Sequence, residues 1–523
     1  MRTRWFIAPA LALGLAWVAP RGDAQDACRP EIAEMDKYSY LRALSLDLRG
    51  VVPTMEEYES LEGVDDVPEA LINEWLASDE HAARVARHHR TQLWPNITNV
   101  RIIHFQRNIS ERDRDADLWW RDGVSSQLRG GRVGCLDEPA SYDGDGNLIF
   151  QETPDGVRRE GYEMVRPYWD PSVELKVCAL DAQTQELSTM TGRPCSSRET
   201  NADAGCGCGP NLRWCSTSAV VNRVTRAMAD DVERRIMANV QNGEPYQELF
   251  TGRRAFVNGP LSFFWKNLAY VYDRVPLVPE AVDVDLLPEI EFTAEDEWQE
   301  IELPASHSGI LTSPLFLLRF QTNRARASRF FDRFLCRPFQ PPPGGIPLDD
   351  EVAALQPDVQ QRPGCNYCHA ILEPAAAHWG RWTQQGGGFL STDLFPAFDP
   401  SCADCGRGAE ACSETCSLHY ITRAVSPEEE EYLGMLRGFQ FLRREHEGFV
   451  DDGPSRLVRE GLVDGSLTSC TSVRAVEWLL AREPSPQEAD WMDSITTRFV
   501  GTGLAYPELV RSIVTSDTYR RVR

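Results

Sequence analysis

A chain of 523 residues, 42% hydrophobic and 25% charged, is too long for one small core and too apolar for wholesale disorder. Its 54 lysines and arginines stand against 79 acidic residues, a formal net charge of -25. That field repels phosphate backbones and anionic lipid, so it argues against nucleic acid or a membrane surface as partner and leaves a basic protein as the charge-complementary one.

Arg2 and Arg4 precede an apolar stretch from Trp5 to Pro20, and Gly22-Asp23-Ala24 supplies the small residues that a signal peptidase reads. Residues 1–24 therefore read as a signal peptide cleaved after Ala24, and the expected location is periplasmic or extracellular, in the cell envelope. The next most apolar run, Gly309 to Leu318, is about half of the ~20 residues a span needs, so no transmembrane segment is expected after cleavage.

Residues 25–129 read as a helical N-terminal domain. Tyr38, Leu41, Leu44 and Leu48 form a stripe at helical spacing that turns at Gly50 and Pro53. Thr54 with Glu57 predicts a capping box, and Leu71, Trp75, Ala82 and Val85 carry the helical pattern to about Trp94. Residues 130–216 change texture to Gly, Asp, Pro and Cys, which predicts an irregular insertion stapled by disulfides. Within it, Asp143-Gly144-Asp145-Gly146-Asn147 looks like the start of a calcium loop. Leu148 and Pro154 stand where an EF-hand needs Gly and Glu, so a tight turn fits better.

Residues 217–304 read as a helix followed by an acidic linker. Val221, Val224, Met228, Val232 and Ile236 give the helix, while Val275 to Pro304 is Pro-interrupted, with Val282 to Leu286 as short strand or extended chain and a boundary near residue 300. Residues 305–523 read as a helical domain. Ser313-Pro314 opens a helix with Leu317, Phe320, Phe330, Phe334 and Leu335 on its apolar side and Arg319, Arg324, Arg326, Arg329 and Arg333 as a solvated face. It stops before Pro338, and Pro341 to Gly345 makes a stiff connector. Ser426-Pro427-Glu428-Glu429 and Ser485-Pro486-Gln487-Glu488 each predict a helix start. The fold class is mainly α.

Fifteen cysteines fit an oxidising compartment, and eight of them cluster: Cys195, Cys206, Cys208 and Cys215, then Cys402, Cys405, Cys412 and Cys416. Disulfides are the default for both clusters; the second also matches a four-thiolate zinc knuckle, with His419 as a substitute ligand. Because the total is odd, at least one thiol is left free or intermolecular.

Cys365-Asn366-Tyr367-Cys368-His369 is a C-x-x-C-H sequence, the attachment pattern for one covalent haem c. Two thiols three positions apart reach the two vinyl groups on one porphyrin edge as thioethers, and the adjacent imidazole becomes the proximal iron ligand. Chance placement of 15 cysteines and 9 histidines gives about 0.01 occurrences in such a chain. The competing readings are a local Cys365–Cys368 disulfide with His369 incidental, and half of a zinc site. For the sixth iron position Met435 is the methionine candidate, although core packing is its commoner role; His378, His419, His446 or an open or water-bound site are the alternatives. No G-x-S-x-G elbow, P-loop, dinucleotide fingerprint or H-E-x-x-H is present.

Tyr40-Leu41-Arg42-Ala43-Leu44-Ser45-Leu46-Asp47-Leu48-Arg49-Gly50-Val51-Val52-Pro53-Thr54, the run His307 to Thr312, Phe334-Leu335-Cys336, the Pro341 to Pro343 run, Trp478 to Glu483 and Leu509 to Ser516 together resemble the planctomycete-type cytochrome c family. The resemblance covers about residues 35–100 and 305–523 and leaves out the Cys195 to Cys215 cluster. It departs from the family after the motif, where Glu373-Pro374-Ala375-Ala376 replaces an Asp-Pro-x-Gly element. It implies a helical C-terminal cytochrome c-like domain and a haem held by Cys365, Cys368 and His369. Cys336 and Cys470 lie in resembling stretches on either side of the motif, and their pairing is expected on that ground. The expected role is one-electron transfer with a basic redox partner. The alternatives are a non-redox envelope scaffold with structural disulfides and a peroxidase-like haem enzyme with an open distal position.

Overall fold

The computed structural model describes residues 34–93, 102–113, 116–269, 281–341, 345 and 356–521. The signal peptide, Cys28, Trp94 and the middle of the proline connector lie outside the described residues. The protein is mainly α-helical, and among the described residues no helix is long and apolar enough to cross a membrane.

Helix Lys37–Leu48 opens under Asp36, whose carboxylate accepts from the Tyr38 and Ser39 amides. Its buried stripe is Tyr40, Leu41, Leu44 and Leu48; Tyr38, expected in that stripe, faces outward. The Thr54 box forms as expected, with Glu57 N–H on the Thr54 hydroxyl and Thr54 N–H on the Glu57 carboxylate. The next two helices are Glu69–Leu76 and Asp79–Leu93. Asp79–Leu93 packs along the longest helix, Ser218–Gln241, which Thr217 caps.

These first helices have no core of their own. Tyr40, Leu44, Trp75 and Val85 share one continuous cluster with Val224 and Ile236, with Phe316 and Phe330, and with Leu479, Leu509 and Ile513 near the other end of the chain. Tyr40 donates its hydroxyl to the Val514 carbonyl at 2.9 Å, and Tyr519 donates to Asp47 at 2.5 Å. The N-terminal helices, helix Ser218–Gln241 and the helices after residue 304 thus bury their faces in one shared core.

Residues 275–280 of the linker reading lie outside the described residues, and over 281–304 that reading gives way. Val284–Leu286 is a short 3-10 turn, and Gln299–Glu302 pairs antiparallel with Arg254–Val257, Ala255 opposite Ile301. Asp231, in a buried ion pair with Arg235 at 2.7 Å, accepts the Phe256 amide and fixes that strand pair to helix Ser218–Gln241. The chain is therefore tied across residue 300.

The Cys-rich insertion is stapled by Cys135–Cys178, Cys195–Cys206 and Cys208–Cys215. It starts before residue 130. Strands Ser110–Asp113, Leu118–Trp120, Leu175–Cys178 and Tyr162–Val165 lie side by side in that order. Fully buried Arg121 pairs with Asp181 at 2.6 Å, and Arg129 with Glu160 at 2.5 Å and Asp181 at 2.9 Å. Arg107, equally buried, is satisfied by Asn201 and the carbonyls of Gly207 and Cys195. This small unit holds itself together with disulfides and arginine networks because it has little apolar core. Asp143 accepts from Asp145 N–H, Asn147 N–H and the Asn147 amide, so the Asp/Gly segment is a self-satisfied turn, as read.

Two helix readings in the C-terminal part are corrected. The helix expected from Ser313 is two, Pro314–Arg319 and Asn323–Phe334, because Phe320 leaves helical geometry and Thr322 caps afresh. Arg326 and Arg329 are buried rather than solvated; Arg326 donates to the Leu317 and Phe320 carbonyls that this break exposes and to the carbonyls of Trp382, Thr383 and Gly386 on the segment packed against it. The second proline-led start forms its capping box between Ser485 and Glu488 and leads into Ala489–Gly501. The first, at Ser426, gives only a 3-10 segment, Pro427–Tyr432, without a side-chain cap.

Candidate functional site

Among the described residues six disulfides join twelve cysteines: the three of the insertion, Cys336–Cys470, Cys402–Cys416 and Cys405–Cys412. The pairing expected of Cys336 with Cys470 is present, and the thiols of the zinc-knuckle reading are consumed in two bridges. Among the described residues the free cysteines are Cys365 and Cys368, both half-buried. The local-disulfide reading of the motif is thus not realised, and no group of three or more His, Cys, Asp or Glu side chains placed to hold a bare metal ion stands among the described residues, the motif included.

Cys365 occupies the N-terminal cap of helix Asn366–Ala377, and Cys365, Cys368 and His369 follow one another on one side at i, i+3 and i+4. The second half of this helix buries Leu372 and Pro374 to Ala377, and the small alanines among them let it pack closely on Asn323–Phe334. Trp379, fully buried just beyond, donates its indole N–H to the Leu311 carbonyl at 2.9 Å. One end of the helix is anchored in the core and the other carries the motif at the surface.

The Cys368 thiol rests 3.6 Å from the Gln340 carbonyl. It opens on a groove of about 500 Å³ lined by Phe331, Pro338, Phe339, Tyr367 and Ile371, with Arg337 at its rim. Tyr367 and Ile371 are 60% and 55% exposed, so two large apolar side chains flank the thiol uncovered.

His369 Nδ1 lies 2.5 Å from Glu373 Oε1, four residues on along the helix. With the Nδ1 proton donated to that carboxylate, the ring keeps the tautomer whose Nε2 lone pair is the donor atom for a metal. Arg324, from the neighbouring helix, donates to the same carboxylate at 2.6 Å and 3.2 Å and fixes it. Two unpaired thiols, an imidazole oriented for Nε2 donation and an apolar groove beside one thiol fit a covalently held haem.

The sixth-ligand candidates are scattered. Met435 packs half-buried against the cluster of Cys402, Cys416, Tyr420 and Leu436, in a bridge to Phe398, and does not line the groove beside Cys368. His378 stands nine residues beyond His369 on the same helical path, is stacked on Phe449, and does not line the groove beside Cys368. Its Nδ1–H donates to the Gly453 carbonyl at 2.9 Å, and burial pushes its pKa down to about 4. His419 packs edge-on against Phe395 within the disulfide-clasped segment. His446 sits on helix Arg444–Asp452, which packs on the motif helix, and its Nδ1 is buried without a partner.

Sequence reasoning missed Glu373 and Arg324 as members of this site. The i, i+4 spacing of His369 and Glu373 was a readable signal; the approach of Arg324 depends on helix packing. No protein-family model, curated protein or solved structure matches the chain.

Proposed function

We propose that this is an exported mono-haem c-type cytochrome that transfers single electrons in the cell envelope. Cys365 and Cys368 are its thioether anchors and His369 its proximal iron ligand. The observation that carries this reading is selective: every other cysteine among the described residues is oxidised to a partner, while the two thiols of the C-x-x-C-H motif are free beside an imidazole held for Nε2 donation. Bound there, the haem would supply a one-electron couple whose potential the protein tunes.

The chain's own residues supply attachment, orientation and shelter. Glu373 holds the His369 ring, and Phe331, Phe339 and Ile371 offer an apolar wall beside Cys368. The net charge of -25 steers a basic redox protein toward the surface at a rate that falls with added salt.

The test is the intact mass and visible spectrum of the full chain, made in a host with haem-attachment machinery. One haem's mass gain that survives denaturation and is lost in Cys368→Ser is expected. A colourless chain at apo mass with Cys365 and Cys368 oxidised to each other refutes the reading and favours a scaffold whose cysteines are all structural.

A further inference from the structure

The carboxylate behind His369 does more than orient a ring. A neutral carbonyl at that position would fix the tautomer and carry no net charge. Glu373 brings a full negative charge to 2.5 Å from Nδ1, where it draws on the ring proton and enriches the electron density at Nε2. The pair is sheltered, with side chains 25% and 19% exposed, so solvent damps it only in part. Pro374 follows Glu373 directly and is buried, which fixes the backbone from which the carboxylate projects. Arg324 shares the same oxygen at 2.6 Å and offsets part of the charge from a different helix.

We propose that Glu373 is the positioning residue that lowers the reduction potential of the iron His369 holds, with Arg324 as the counterweight that limits the effect. The inference rests on the haem reading above. An electron-rich Nε2 favours the ferric over the ferrous state, so a group that enriches it lowers the potential, and one that competes for the carboxylate raises it.

The experiment compares the full-length chain with Glu373→Gln, Glu373→Asp and Arg324→Gln, each first weighed for one covalent haem and then titrated for its midpoint potential at fixed ionic strength. Replacement of an outer-shell partner typically changes a metal site about 10–100-fold. A tenfold loss of ferric preference in Glu373→Gln raises a one-electron potential by about 59 mV. Glu373→Asp, which keeps the charge, should retain most of the lowering, and Arg324→Gln should move the potential the other way. A purely structural role would lower the melting temperature of the variants and leave the potential in place. A haem-loaded Glu373→Gln chain at the wild-type potential overturns the proposal. Should that variant fail to hold haem, Arg324→Gln decides: a lowered potential supports the proposal and an unchanged one overturns it. A wild-type chain at apo mass overturns the cytochrome reading, and this inference with it, before any potential is measured.

Discussion

Cys336–Cys470 closes a ring that contains the whole motif region, and its removal should cost far more than that of a short bridge. In the chain-entropy account, a crosslink spanning 134 residues contributes about 5 kcal/mol at 25 °C, and one spanning 7 residues, such as Cys405–Cys412, about 2 kcal/mol. The two bridges nested inside the long ring shorten it by few residues, and because the dependence is logarithmic they change the figure by about 0.1 kcal/mol. An unfolding entropy of about 2.1 cal/mol/K per residue gives about 1 kcal/mol/K for a cooperative unit of this length, so the expected fall in Tm is about 5 °C for the long bridge and about 2 °C for the short one. The assay is scanning calorimetry on Cys336→Ala/Cys470→Ala and on Cys405→Ala/Cys412→Ala, each against the parent chain. Equal losses in the two pairs, or a larger loss from the short one, would refute loop closure as the source of stability and point to local packing around each bridge.

Burial holds His81, His89, His307 and His378 down to about 4, against about 6.5 in an unfolded chain. The unfolded state therefore binds more protons between those values, so the neutral rings favour the fold fully above pH 6.5 and that advantage is lost as pH falls toward 4, at up to about 1.4 kcal/mol per pH unit for each ring. Urea midpoints should drop between pH 7 and pH 5, and His307→Asn should flatten the slope; an unaltered slope in that variant would sink the assignment. Gly309 has φ +49°, and a Cβ there would collide with the Leu249 carbonyl, so Gly309→Ala should lose about 3 kcal/mol or more in urea unfolding. Gly144, with open space around its Cβ position, is the control, expected within about 0.5 kcal/mol of the parent.

What the sequence made legible was local chemistry. The capping boxes of Thr54 and Ser485, the helix under Thr217 and the turn at Asp143 are decided by residues within a few positions of one another. So is the motif, whose three donors lie within five residues. What failed was non-local. Arg326 looks like one member of a solvated arginine row until the break at Phe320 presents it with carbonyls to satisfy. Arg107, Arg121 and Arg129 lie upstream of the Cys-rich stretch, yet their partners, Asn201, Asp181 and Glu160, lie within it. The acidic run before residue 300 reads as a linker because one strand alone has no signal of its distant mate at Arg254–Val257. Glu373 is legible in the sequence as a carboxylate four residues after His369; its distance from the ring nitrogen, and the arrival of Arg324, are set by the helices once folded.

The hydrogen bond from Tyr40 to Val514 spans 474 residues. At a synthesis rate of 5–20 residues per second, the partner of the first described helix emerges about 24 to 95 seconds after that helix does. For all of that time Tyr40, Leu41, Leu44 and Leu48 have only the neighbouring helices Glu69–Leu76 and Asp79–Leu93 to close on, and lack the part of their core that Leu509, Ile513 and Tyr519 supply. The closing of this core is accordingly a late event that waits for the helices around residue 514, and a ribosome that stalls before them leaves behind a long polypeptide whose earliest apolar face is only partly covered.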